Sequence, residues 1–453
     1  MAISKKVLSV AMASTLAISS LAINQASADD KNKNEIRNVI FLIGDGMGPT
    51  YTSAYRAYKD DKKTPMMEDT AFDKYLVGMQ STYSHDKKES VTDSAAAATS
   101  MSAGIKTYNG AIAVDMEKQD VKTVLEQAKE NGKSTGLVAT SQINHATPAA
   151  FGAHDESREN YNQIADDYYD DMVNGKHKVD VLLGGGTSYF DRKDRNITEE
   201  FQKDGYSYVT NRDDMLKDDN EQVLGLFAPK ELDKKIDRPK EQPSLKEMTN
   251  SALDRLNKND DGFFLMVEGS QIDWAGHDND VVAGMSEMED FEQAFQSAIE
   301  FAKKDKHTLV ITTADHSTGG MTMGRDGEYK WDPADIKAAK KTPDYIAKEI
   351  AKGAPVEETL KKYIDLELTP EEIQSVKEAK EKSGDVLEID NAIEKIFDLR
   401  TGTGWTTDGH TGEDVNVYAY GPGMENFTGK IDNTDTAKEI FAILEKTKSA
   451  AKK

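Results

Sequence analysis

Cysteine is absent from all 453 residues. That excludes disulfides, thiolate zinc sites, thiol catalysis and a lipid-anchored N-terminal cysteine. Any transition metal must therefore be held by His, Asp or Glu. Positive charge is also scarce: 57 Lys and Arg stand against 81 Asp and Glu, a formal net charge of −24. The excess acid is spread along the chain, so nucleic acid is not expected as a general partner. No long apolar run follows the first 28 residues, so no membrane span is expected in the mature chain. Internal repeats are missing too. Gly184-Gly185-Gly186 lacks the Lys-Ser/Thr ending of a P-loop and reads as a turn.

What is present begins with a leader. Lys5 and Lys6 precede the mostly apolar stretch Val7–Ile23, and Ala26-Ser27-Ala28 is a small-residue cleavage site. Residues 1–28 therefore read as a signal peptide. Removing two lysines and no acid takes the charge from −24 to −26. The mature chain, 29–453, is expected outside the cell, in the wall or in the periplasm.

Apolar runs at 38–43, 135–140, 179–183, 263–267, 308–312 and 415–420 suit buried strands. Helical patterns at 121–129, 244–256, 287–303 and 436–446 alternate with them. The expectation is an α/β domain with a mostly parallel central sheet flanked by helices. Residues 191–243 are too polar to assign. Residues 325–405 are rich in Lys, Glu and Ala, with helical stretches at 345–351, 356–363 and 370–382, and read as an inserted helical cap within a single domain.

Chemistry-bearing residues cluster at the ends of the apolar runs. Asp45 sits in Gly44-Asp45-Gly46 after the first, Glu268 closes another, and Asp315-His316 follow a third. His410 precedes the last. Asp273 and His277 are four apart, so they share one helix face and could grip one metal ion. In parallel strands these loops converge. Four carboxylates packed without metal would repel one another and force some to protonate, so the set argues for divalent cations. Val91-Thr92-Asp93-Ser94-Ala95-Ala96-Ala97-Ala98-Thr99 places a hydroxyl at a helix start, where an anion such as phosphate is stabilised.

The Ser94 stretch and the blocks around Asp45, Asp273, Asp315 and His410, in this order, resemble the alkaline phosphatases, secreted metal-dependent phosphomonoesterases, in the form found in Bacillus-type bacteria. The resemblance implies Ser94 as the nucleophile that becomes phosphorylated and Arg158 as the phosphate clamp. It implies Asp45, Asp315 and His316 as ligands of one zinc, and Asp273, His277 and His410 as ligands of a second. Thr147 and Glu268, with Asp45 bridging, would form a third site, usually magnesium and replaceable by cobalt or zinc. His145 stands there where the best-known bacterial pattern has aspartate. Trp274 stands near the phosphate where that pattern has lysine. Phosphate monoesters and inorganic phosphate are the implied ligands, and a homodimer is the family's frequent assembly. Sister families cleave diesters or sulfate esters, but Arg158 and the Asp-Ser-Ala-Ala block favour a monoesterase. A mere phosphate binder has no need of Ser94.

Overall fold

The structure, a computed structural model, describes residues 35–451 apart from Lys87. The leader read at residues 1–28 lies outside them. Ten strands form the central sheet: β1 Asn38–Gly44, β2 Leu76–Ser81, β3 Ser134–Gln142, β4 Val181–Gly185, β5 Ser207–Val209, β6 Val223–Leu226, β7 Phe263–Gly269, β8 Thr308–Thr313, β9 Val415–Tyr420 and β10 Gly429–Asp432. Their spatial order is β10-β2-β9-β8-β1-β7-β3-β4-β6-β5, and only β9 runs against the rest.

The centre of the sheet is apolar on both faces. Along β1, Val39, Phe41 and Ile43 join the core on one side while Ile40 and Leu42 join the core on the other. This follows from the period of two in a strand. Full burial of such a side chain contributes about 1.5–3 kcal/mol, so β8, β1 and β7 form a stiff platform. Open parallel sheets bind ligands beyond the carboxyl ends of their strands.

The helices that matter for the site are α1 Ser94–Ala103, α2 Ala146–Gly152, α3 Gln271–His277 and α4 Val281–Asp305. Residues Ser94 to Ser102 of α1 are all buried. Its alanines let α2 and the C-terminal helix pack closely on it. Between 325 and 405 lie α5 Pro343–Ala351, α6 Val356–Tyr363, α7 Pro370–Lys382 and α8 Val386–Thr401. They pack on one another in sequence, and α8 also packs on α4.

Several local expectations shift. Gly184 and Gly185 belong to β4, and only Gly186, at φ +109°, makes the turn. The helix expected from 121 begins at Val124, because Thr123 caps it and closes a capping box with Glu126. The helix expected at 287–303 starts earlier, at Val281, because Asp280 caps it. The polar stretch 191–243 contains the edge strand β5 and its neighbour β6.

Candidate active site

Three neighbouring strands deliver the acids. Asp45 follows β1, Glu268 is the penultimate residue of β7, and Asp315-His316 follow β8. Gly46 turns the chain at φ +70°, and a Cβ there would meet Asp273 Cα at 2.7 Å. Only glycine suits that left-handed and crowded position. The Gly46 amide donates to Asp315 Oδ1 at 3.1 Å, and the His316 amide donates to the same oxygen at 3.0 Å. One oxygen of Asp315 is thus anchored and the other points onward.

Ser94 is the first residue of α1, and Asp93 is its N-cap. Asp93 Oδ1 accepts from the Ala96 amide at 2.9 Å, and Oδ2 accepts from the Gly110 amide at 2.9 Å. Asp93 Oδ2 also pairs with Arg158 Nη1 at 3.0 Å. Burial opposes the charge on Arg158, but Asp93 outweighs it and holds the guanidinium firmly protonated. A second Arg158 nitrogen, Nη2, lies 3.3 Å from His145 Nε2. Ser94 Oγ lies 3.2 Å from His316 Nε2.

The candidate ligands fall into three overlapping groups, each with its ligand atoms within 4.8 Å of one another: Asp45, Asp315 and His316; Asp273, His316 and His410; and Asp45, His145 and Glu268. His316 therefore touches two groups, where the sequence assigned it to one. His277 joins the second group: its Nε2 is 3.1 Å from His410 Nε2 and 3.4 Å from Asp273 Oδ2. His410 Nδ1 donates to the Thr92 carbonyl at 2.8 Å, and His277 Nδ1 donates to the Asp408 carbonyl. A carbonyl only accepts, so each Nδ1 carries a proton; in the neutral ring, the form that binds a metal ion, Nε2 is then left with the lone pair.

The electrostatics fit cations. Burial pushes the Asp45 carboxyl well above the usual range, with Asp315 and Asp273 adding to the effect. Burial and Asp273 push Asp315 up to about 7. Burial also raises Glu268, against the hydroxyls of Ser270, Thr147 and Ser141. Asp273 goes the other way: burial is overcome by the hydrogen bond from His277 and the nearby His316, so its carboxyl is held low. The hydrogen bond to Asp273 in turn lifts His277 to about 9. Burial drives His316 well below its ordinary value, with His410 assisting. Asp45 Oδ1, Asp315 Oδ2, Glu268 Oε1 and Thr147 Oγ1 are buried without a hydrogen-bond partner among the described residues. Oxygens and imidazoles left over in this way are a donor set for zinc and magnesium.

All twelve residues singled out in the sequence are brought together here. Trp274, one of the twelve, stands on α3 with its ring centroid 5.6 Å from that of His145. Two supporting residues are not apparent from the sequence pattern. Asp93 positions both Ser94 and Arg158, and its place directly before Ser94 is the available signal. Thr318 donates to Asp273 Oδ1 and lies 3.2 Å from His316 Nδ1. Nothing in its spacing marks it.

A sequence profile described as alkaline phosphatase matches residues 36–446. Alkaline phosphatase 3 of Bacillus subtilis (strain 168) is 67% identical, with 97% of each chain covered. Among solved structures, the cold-active alkaline phosphatase of the psychrophile Shewanella sp. superposes with a TM-score of 0.84 at 42% identity, covering 90% of this chain and 99% of that one. A variant of the TAB5 alkaline phosphatase, with one histidine replaced by aspartate and magnesium bound in its M3 site, gives a TM-score of 0.66 at 30% identity, over 91% of this chain and 99% of that one. With the Ser94 helix, the arginine and the buried acids and imidazoles at one sheet edge, these likenesses place the chain in the alkaline phosphatase family of phosphomonoester hydrolases.

Proposed function

We propose that the chain is an exported phosphomonoesterase that works through a phosphoserine on Ser94, with two zinc ions and one magnesium ion. Asp45, Asp315 and His316 would hold one zinc, and Asp273, His277 and His410 the other. Asp45, Thr147 and Glu268, with His145 beside them, would hold the third ion. When bound, such cations brace the attacking and leaving oxygens and offset charge on the phosphoryl group.

The chain's own residues supply the rest. Ser94 Oγ attacks phosphorus, the bond from phosphorus to the ester oxygen breaks, and the alcohol leaves. Water then attacks the phosphoserine, restoring the hydroxyl and releasing inorganic phosphate. Arg158 uses two of its donors on Asp93 and His145 and has others to offer to phosphoryl oxygens. Asp93 orients it. Ser94 at the first position of α1 also places the phosphoryl group at the positive end of a helix. The carrying observation is the position of Ser94 Oγ, 3.2 Å from His316 Nε2 at the edge of two candidate ligand groups.

The test is a Ser94→Ala variant with its metal content verified. Turnover should fall by roughly a thousandfold or more, as expected on losing a covalent nucleophile. An acid quench of wild type with labelled ester should leave phosphate on the peptide containing Ser94. Near-normal turnover in the variant, or label on another peptide, would refute the assignment.

A further inference from the structure

Trp274 and His277 also face a cavity of about 720 Å3 that reaches from the catalytic cleft to α5 and α8. Trp274 and His277 belong to the candidate site as well, so the cavity adjoins the catalytic cleft there. Eight carboxylates and three lysines line it. Each lysine is already matched by an acid of the same wall: Lys234 to Asp278 at 2.8 Å, Lys348 to Asp344 at 2.6 Å, and Lys352 to Glu349 at 3.4 Å. The wall therefore carries a surplus of negative charge.

Part of that surplus is accounted for by neighbours. Asp237 accepts from the Thr342 amide and hydroxyl and lies 3.8 Å from Lys341. Asp385 caps α8. Asp390 is different. It is 5% exposed, lies on the first turns of α8, and its Oδ1 has no hydrogen-bond partner among the described residues. Burial and the neighbouring Asp280 push its carboxyl up to about 8, so a cation placed next to it would favour its charged form. A buried carboxylate without a donor is costly, and a counter-charge removes the cost.

We propose that this cavity receives the alcohol part of the substrate and selects phosphate monoesters of alcohols that carry an ammonium group, with Trp274 against the cation and Asp390 as its counter-charge. The inference rests on the phosphomonoesterase reading above. Tryptophan is the best aromatic partner for a cation, quaternary ammonium included. The cavity matches the volume of sites for small organic molecules, which bury most of their ligand. Alcohols bearing further phosphate or carboxylate groups would meet the acid surplus and be disfavoured.

Choline phosphate and its neutral isostere, with tert-butyl in place of trimethylammonium, have nearly the same shape and differ in that charge. The metal-loaded enzyme should favour choline phosphate in kcat/KM by about tenfold, mostly through KM. Asp390→Asn and, separately, Trp274→Leu should each bring the ratio toward one. The second variant keeps the test decisive if the first does not fold. A wild-type ratio near one, or a ratio that neither variant moves, overturns the inference. So does loss of the preference on adding calcium chloride at constant ionic strength, which would assign the cavity to an inorganic cation. Hydrolysis of neither ester would instead refute the phosphomonoesterase reading itself.

Discussion

His145 has one lone pair to give. Burial, and then Arg158, lower its pKa to about 3, so the imidazole is neutral at any working pH. A neutral imidazole carries one proton and one lone pair. Arg158 Nη2 can only donate, so at 3.3 Å it takes the lone pair of His145 Nε2. A metal ion held by His145 would need that same lone pair, or would turn an Nε2 proton toward Arg158. Either way the hydrogen bond to Arg158 is lost. An aspartate there could serve both neighbours, since a carboxylate has several lone pairs, and it adds a negative charge that suits magnesium. His145→Asp should therefore lower the magnesium concentration for half-activation by about tenfold, the lower end of effects seen for groups around a metal site. A magnesium titration of metal-depleted wild type and variant measures it. An unchanged midpoint would mean that His145 acts only as a hydrogen-bond acceptor for Arg158.

Elements differ in how plainly a sequence announces them. β1, β7 and β8 are legible because a strand buried on both faces reads as a largely apolar run, and β9 because only Asn416 interrupts its own. The candidate ligands are legible because they sit at or near the ends of those runs. β2, β5, β6 and β10 are not. They lie at or next to the edges of the sheet, and β2 and β10 are partly solvated and each hold a glycine. Such strands are specified by their neighbours rather than by their own pattern. α8 is also hidden, although its neighbours read as helices. It carries acids on its buried face: Asp390 is 5% exposed, Glu394 6% and Asp398 8%. Binary patterning treats those positions as surface. Glu394 shows the consequence. Burial, then Asp390 and Asp280, raise its carboxyl to about 11, against an ordinary value of 4.5. Between those two values the folded chain keeps a proton that the unfolded chain releases. Stability must therefore fall as pH rises through that window. Glu394→Gln removes the titration while keeping the shape. Its stability relative to wild type should rise steadily from mildly acidic to alkaline pH, by at least about 1 kcal/mol overall, because every pH step of one within that window costs the wild type up to about 1.36 kcal/mol. Denaturant melts across that range would show it, and a difference that is flat in pH would contradict it.

For the molecule as a whole, the question is how a chain of net charge −24 tolerates four carboxylates at one sheet edge. Among the described residues no helix is long and apolar enough to cross a membrane, so lipid plays no part through such a span. The acids converge because β8, β1 and β7 are adjacent and parallel, and the apolar cores on both faces keep those strands from separating. On the proposed metal content, folding stability and metal binding are linked. Ligands that bind only the native state add RT ln(1 + [L]/Kd), about 4 kcal/mol at a thousandfold excess over Kd, so stripping the metals should lower Tm by on the order of 10 °C. A substitution separates this linkage from simple damage. In Asp315→Asn, the remaining oxygen can still accept from the Gly46 and His316 amides, which now bond Oδ1. The new amide group would face Asp45, whose Oδ1 has no hydrogen-bond partner, and one buried like charge would be gone. With zinc and magnesium present the variant should melt below wild type, because a ligand is missing. After chelation the order should reverse, with the variant melting a few degrees above the stripped wild type, each 1 kcal/mol counting for about 2–4 °C. Calorimetry of both proteins with and without metal gives the four values. If the variant melts lower in both states, repulsion among the buried acids is not what the metals relieve.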